Sequence, residues 1–242
     1  MREIYLSGYN NFVLPFMLGM LFVLAWCIFG ALRIILELTP KDRKTFFMSL
    51  VNPRIMARNV RDWFCDCLFH VKLWKRNKML GYMHSSIAFG WFMLIVIGHI
   101  EVFLYTPERV HQIWYPIFFR YFVAVTESTM KGSFFFFLMD FFLLMVLSGI
   151  VLAIIKRVRS RIFGMRRTTR ASITDLIGLY SLWCIFPLRL LAEGFTADIS
   201  GGSFLTKSLN WVLHSFLSDH MNMLPTWWAY SIALGVFMCI SF

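Results

Sequence analysis

An all-α, polytopic membrane helical bundle of about five transmembrane helices is the fold class that the sequence predicts, and three observations predict it. Of the 242 residues 59% are hydrophobic and only 15% are charged, and the mean hydropathy is +0.66, which does not suit a domain dissolved in water. The apolar residues fall into runs of about 20, the length of helix that crosses a hydrocarbon core roughly 30 Å thick. The charges lie between those runs and are lopsided, 24 Lys and Arg against 13 Asp and Glu.

The first span covers about residues 11–36. From Asn11 to Leu32 it carries no charge, and it is too long, and lacks the small-residue cleavage site, to be a removable secretory signal. The second, about 79–104, is uncharged from Met79 to Ile100 but contains His84 and His99. The third, about 134–156, holds one acid, Asp140. The fourth, about 173–194, contains Arg189 and Glu193, one helical turn apart, which can pair on one face or snorkel to an interface. The fifth, about 226–242, is apolar to its last residue, and no basic anchor closes it. The chain is therefore expected to be cut short, with whatever follows emerging in the cytoplasm.

Orientation follows from the loops. Ten Lys and Arg lie between Lys41 and Lys78, and seven between Lys156 and Arg170. Short loops rich in base stay on the cytoplasmic side, so both segments are expected there, in a cell inner membrane, with the amino terminus and the segments 105–133 and 195–226 outside. The same placement argues against a nucleic-acid partner, because these charges face anionic lipid. Five cysteines scattered at 27, 65, 67, 184 and 239 make neither a disulfide scaffold nor a complete iron-sulfur motif.

Ionisable groups in hydrocarbon are costly and are kept for a partner, an ion path or a cofactor. His84 and His99 are fifteen residues apart, which on a helix is about 22 Å of rise and about 60° of rotation. One imidazole at each leaflet, on one side of a helix, suits two haems stacked across a membrane, each iron taking its second axial ligand elsewhere. Interhelical hydrogen bonding is the other reading of the same pair. Gly81, Gly90 and Gly98 on this helix admit either a macrocycle or a neighbouring helix. Arg189 and Arg33 are candidates to neutralise haem propionates, although snorkelling is the simpler account of both. His70 follows Cys65 and Cys67, but one C-x-C and one His fall below the ligand count of a structural metal site. His111 reads as an interfacial residue, while His214 and His220 lie on an amphipathic surface segment from which either could reach the outer site. Glu101 and Tyr105 mark the outer boundary of the second span.

Five spans, a second helix opening LGYMHSSIAFGWF, and the stretch GIVLAIIKRVRSR followed by RRTTRASITDLIGL, with Asp175 opening the next helix, form a recognisable pattern. Over almost the whole chain it resembles the membrane haem b subunit of respiratory nitrate reductase and the related cytochrome subunit of heterodisulfide reductase. The resemblance implies one or two b haems, with His84 ligating the inner iron, His99 the outer one, and the fifth helix supplying the other ligands. At the outer end of the fifth helix (PTWWAYSIALGVF) Tyr230 stands where the family has histidine. Either Tyr230 ligates, or His220 substitutes, or the outer haem is absent; the inner partner falls beyond Phe242. The resemblance further implies a quinone as substrate and a cytoplasmic iron-sulfur protein or fused domain as partner, with electrons moving between them. A haem-free anchor for a cytoplasmic complex is the alternative, and a transporter is disfavoured because no paired acids, broken helices or inverted repeat are visible.

Overall fold

An apolar run in lipid must satisfy its own backbone, and the α-helix does so within one segment. The computed structural model describes residues 11–105, 130–164, 172–216 and 224–241, and among them are nine α-helices and no strand. A 3-10 turn at Asn11–Val13 leads into α1 (Leu14–Glu37). The basic segment that follows is itself helical. It forms α2 (Pro40–Val51) and α3 (Pro53–Trp63), each started by a capping side chain and a proline: Thr39 Oγ1 accepts from the Asp42 amide at 3.3 Å and Asn52 Oδ1 from the Arg54 amide at 3.1 Å. A π-helical turn, Phe64–Leu68, and the short α4 (Val71–Arg76) complete the approach to α5 (Lys78–Tyr105). Then come α6 (Met130–Ile162), α7 (Ile173–Ser200), α8 (Phe204–Phe216) and α9 (Leu224–Ile240). Asp175 opens α7 as expected, in a reciprocal capping box with Ser172.

Four of these helices, α1, α5, α6 and α7, are long and apolar enough to cross a bilayer, and the chain is a multi-pass membrane protein. The fifth expected span is α9, equally apolar but only 17 residues long, about 25 Å and at the short end of what a bilayer requires. Conversely, α6 and α7 outrun the expected 134–156 and 173–194. α6 runs on through Lys156, Arg157, Arg159 and Arg161, whose long side chains can reach the headgroups, and α7 runs on through Asp198 to the loop before α8. Leu18, Leu21, Leu24, Phe29 and Leu36 of α1 are all exposed, an apolar face that lipid solvates and water would not.

The helices pack with small residues at their contacts, as helices in lipid must when no hydrophobic force separates tail from side chain. α5 and α6 run antiparallel, with Tyr82 Oη and Ser148 Oγ 2.8 Å apart and Gly149 against Ser86. α7 and α9 are also antiparallel, pairing Gly178 with Ile240 at one end and Arg189 with Tyr230 toward the other. α1 lies parallel to α9, where the Phe16 amide donates to Ser231 Oγ at 3.2 Å and Gly19 faces Gly235. Trp91 of α5 ties the centre together, its ring 5.4 Å from Phe186 of α7 and 5.6 Å from Phe237 of α9.

This arrangement brings both basic segments to one end of the bundle: Lys156 of α6 lies by His84, and Arg161 Nη2 donates to Tyr180 Oη of α7 at 3.2 Å. It also assigns the helix glycines. A Cβ on Gly81 would stand 2.7 Å from the Trp74 ring, and one on Gly90 would strike Val146, so these two positions admit neighbouring protein rather than a macrocycle.

A methyl at Gly235 would run into the backbone carbonyl of Pro15, whereas one at Gly30 meets nothing within 4 Å. Gly235→Ala is therefore expected to destabilise by about 1–3 kcal/mol through overpacking, and Gly30→Ala to stabilise by about 0.5–1 kcal/mol through helix propensity. Thermal midpoints in detergent measure both, and the reverse order would show that the α1–α9 contact is not a close one.

Candidate functional site: imidazoles at the two ends of α5

His84 stands two turns into α5, exposed on the helix surface, and the structure brings a second imidazole to it. The rings of His70 and His84 lie 5.5 Å apart, centre to centre, with an interplanar angle of 30°. His70 is the only described residue other than glycine with positive φ, at φ 49° and ψ 43°, a left-handed conformation that costs an L-residue about 1–2 kcal/mol. It closes the π-helical turn, and its Nδ1 lies 3.4 Å from the Leu68 carbonyl. Two braces hold the strained loop. On one side Trp74 Nε1 donates to Ser85 Oγ at 2.8 Å, and Ser85 Oγ donates to the Phe69 carbonyl at 2.6 Å, which ties the loop to the residue after His84. On the other, Lys72 Nζ donates to Asp66 Oδ2 at 2.6 Å, and that hydrogen bond raises the ammonium pKa above its ordinary value.

His99 stands near the other end of α5, also exposed. Its Nδ1 lies 2.8 Å from the Ile95 carbonyl, which can only accept, so Nδ1 is the donor of that hydrogen bond and Nε2 is the nitrogen outside it. Metal-bound histidines are commonly oriented in this way, by donating their other nitrogen to a carbonyl.

Close by, but turned inward, is a buried charged group. Arg189 Nε donates to Glu193 Oε1 at 3.0 Å, with both side chains 5% exposed or less. The Tyr230 hydroxyl hydrogen-bonds with the same guanidinium, and the Glu101 carboxylate from α5 is near enough to act on it. The expected Arg189–Glu193 pair thus forms in the interior rather than by snorkelling, and Glu101, expected at the boundary, is buried. Tyr230 packs edge-on against Trp227 inside the bundle, whereas His99 faces outward. His220 and His111 lie outside the described residues.

Asp140, in the expected third span, is fully buried and serves another helix. Its Oδ2 accepts from the amides of Ser203 (3.1 Å), Leu205 (3.0 Å) and Thr206 (3.1 Å), and its Oδ1 from the Thr206 hydroxyl, so it caps α8 from 63 residues upstream. The other side of α8 is fixed to α7 by Asn210, which donates to the Gly194 carbonyl at 2.8 Å. His214 Nε2, on the same side, lies 2.8 Å from Asp198 Oδ2.

Among the described residues no three His, Cys, Asp or Glu side chains gather as a metal site, and Cys65 and Cys67 do not complete one with His70. A haem iron asks less of the protein, because the macrocycle fills four positions and two axial donors finish the set. The donors present meet half of that demand at each end of α5, one imidazole at His84 and one at His99; the loop that brings His70 beside His84 packs directly on α5 through Ser85 and Trp74 and leaves no room for a macrocycle between the two rings. No family model, curated protein or solved structure matches the chain.

Proposed function

We propose that the chain is a haem b membrane subunit that moves electrons between the quinone pool and a cytoplasmic iron-sulfur oxidoreductase, seated in the cell inner membrane with its basic end toward the cytoplasm. The observation that carries the reading is the pair His84 and His99, exposed imidazoles near the two ends of a single span. In hydrocarbon such groups need a partner, and the hydrogen bond between His99 Nδ1 and the Ile95 carbonyl is the kind that orients metal-bound histidines. Bound haem would supply a one-electron couple that the side chains lack. The chain's own part is to give the axial nitrogens, hold them at two depths, and keep the surroundings apolar enough to set the potential. The positive charge between 41 and 78 and after 156 supplies a surface for an acidic soluble partner.

A haem-free anchor is the second reading. It is favoured by α2 and α3, which have no buried residue and offer Arg54, Arg58 and Arg61 beside Met56, Val60 and Trp63 on an exposed surface.

A dithionite-reduced minus oxidised spectrum of the detergent-purified full-length protein separates the two, with haem counted as the pyridine haemochrome. The expected result is a b-type α-band that loses about half its amplitude in His84→Ala. A well-folded wild-type preparation with no haem would overturn the electron-transfer reading and leave the anchor.

A further inference from the structure

We propose that the open cleft where α2 meets α3 binds the headgroup of an anionic phospholipid, in the leaflet at the basic end of the bundle. Such a lipid binds there whether or not α5 holds haem.

The cleft forms because Asn52 is at once the C-cap of α2 and the N-cap of α3, in an extended conformation that breaks the helix axis. It has a volume of about 760 Å³ and is lined by Phe47, Met48 and Val51 together with Lys44 of α2 and Arg54 of α3. A mostly apolar lining with a few charged groups, at this size, is what a small amphiphile occupies. Met48 and Val51 are 64% and 82% exposed, and neither helix has a buried residue, so none of the described residues covers the apolar wall.

Charge selects the headgroup. None of the residues lining the cleft is acidic. Asp42, the acid nearest in the chain, accepts from the Thr39 hydroxyl at 2.6 Å, and the ion pairs Arg61 with Asp62 and Lys72 with Asp66 lie further along. An ammonium and a guanidinium beside one apolar wall match a phosphodiester, whose oxygens accept from both cations while its acyl chains take the wall.

Depth selects a lipid over a soluble anion. Trp63, the last residue of α3, packs edge-on against Phe92 of α5 with ring centres 6.1 Å apart. Phe92 lies about 21 Å along α5 from Lys78, near the middle of a span. At 11 residues α3 is about 16 Å long, so its other end stays within about that depth of Phe92 whatever its tilt. Half a bilayer with its headgroups is about 20–22 Å thick, which leaves the cleft inside the membrane or its headgroup layer. Lipid is concentrated there, and a soluble acidic protein has little access.

The test titrates the full-length protein in detergent with phosphatidylglycerol and, separately, with phosphatidylcholine, and native mass spectrometry reads the first lipid bound. Wild type is expected to prefer phosphatidylglycerol, and Lys44→Gln with Arg54→Gln to lower that preference about 30-fold, which corresponds to about 1 kcal/mol for each cation at an anionic surface. Both residues are exposed, so the substitutions leave the packing intact. Arg58→Gln with Lys75→Gln removes the same charge from the same segment outside the cleft and is expected to keep the preference. Equal losses in the two double variants would show diffuse attraction and overturn the site, as would a wild type that holds both lipids alike. Binding of poly-glutamate to the same variants in nanodiscs covers the rival occupant. If Lys44→Gln with Arg54→Gln weakens that binding and leaves the lipid preference intact, the cleft serves an acidic protein and the proposal falls.

Discussion

Asp140→Ala is expected to cost about 3–5 kcal/mol and to loosen α8 from the bundle. The first amides of a helix have no partner within it, and three such donors, from Ser203, Leu205 and Thr206, all end on one carboxylate oxygen. Leaving a buried donor unsatisfied costs about 1–3 kcal/mol, and water cannot take over cheaply at a position this buried. The negative charge adds to this, because it faces the positive end of the α8 dipole. Asp140→Asn separates the contributions: it keeps an acceptor oxygen and the shape but loses the charge, and is expected to cost about 1–2 kcal/mol. Denaturation in detergent measures the sum, and hydrogen exchange at 203–206 locates it. An Asp140→Ala protein within 1 kcal/mol of wild type would mean that α8 is held by its Asn210 and Leu209 contacts with α7 instead.

How much of this was legible depends on the range of the interaction. Charge-free runs of about 20 residues have one solution in lipid, so four helices long enough to span could be read from the sequence, with ends that differ, while the fifth run forms a helix of 17 residues. The surface helices α2 and α3 carry a local mark as well, Thr39 before Pro40 and Asn52 before Pro53, although their charge reads first as loop. The i,i+4 relation of Arg189 and Glu193 is likewise a matter of one turn. That the pair would turn inward and meet Tyr230 and Glu101 is not, because it depends on how α5, α7 and α9 rotate against one another, and no local pattern specifies that.

The histidines divide in the same way. His84 and His99 stand out because they interrupt apolar runs. His70 does not, being one polar residue in a basic segment, and its approach to His84 depends on one left-handed residue, one π-helical turn and a side-chain brace. The glycines of α5 misdirect, since spacing shows that something comes close and not what: at Gly81 it is Trp74 and at Gly90 it is Val146. Asp140 shows the converse. A single acid in a span looks like a functional group, and here its oxygens are occupied by the start of α8.

Arg189→Met is expected to destabilise by about 3–5 kcal/mol, because removing one partner of a buried pair leaves the other charge uncompensated. Two carboxylates, Glu193 and Glu101, depend on this guanidinium, and Tyr230 bonds to it as well, so the loss reaches α5, α7 and α9 together. Arg189→Lys keeps the charge but not the planar fork, which serves two oxygens at once, and should fall between wild type and Met. The double variant Arg189→Met with Glu193→Leu replaces the pair by apolar groups of similar size and is expected to recover at least 1 kcal/mol over Arg189→Met alone. A double variant no better than the single one would assign the stabilisation to Glu101 rather than to Glu193. Haem content in Arg189→Lys then decides between the two uses of the residue. A guanidinium committed to Glu193 and Tyr230 predicts an unchanged α-band, and a band that weakens while the fold survives would return Arg189 to the propionate role read from the sequence.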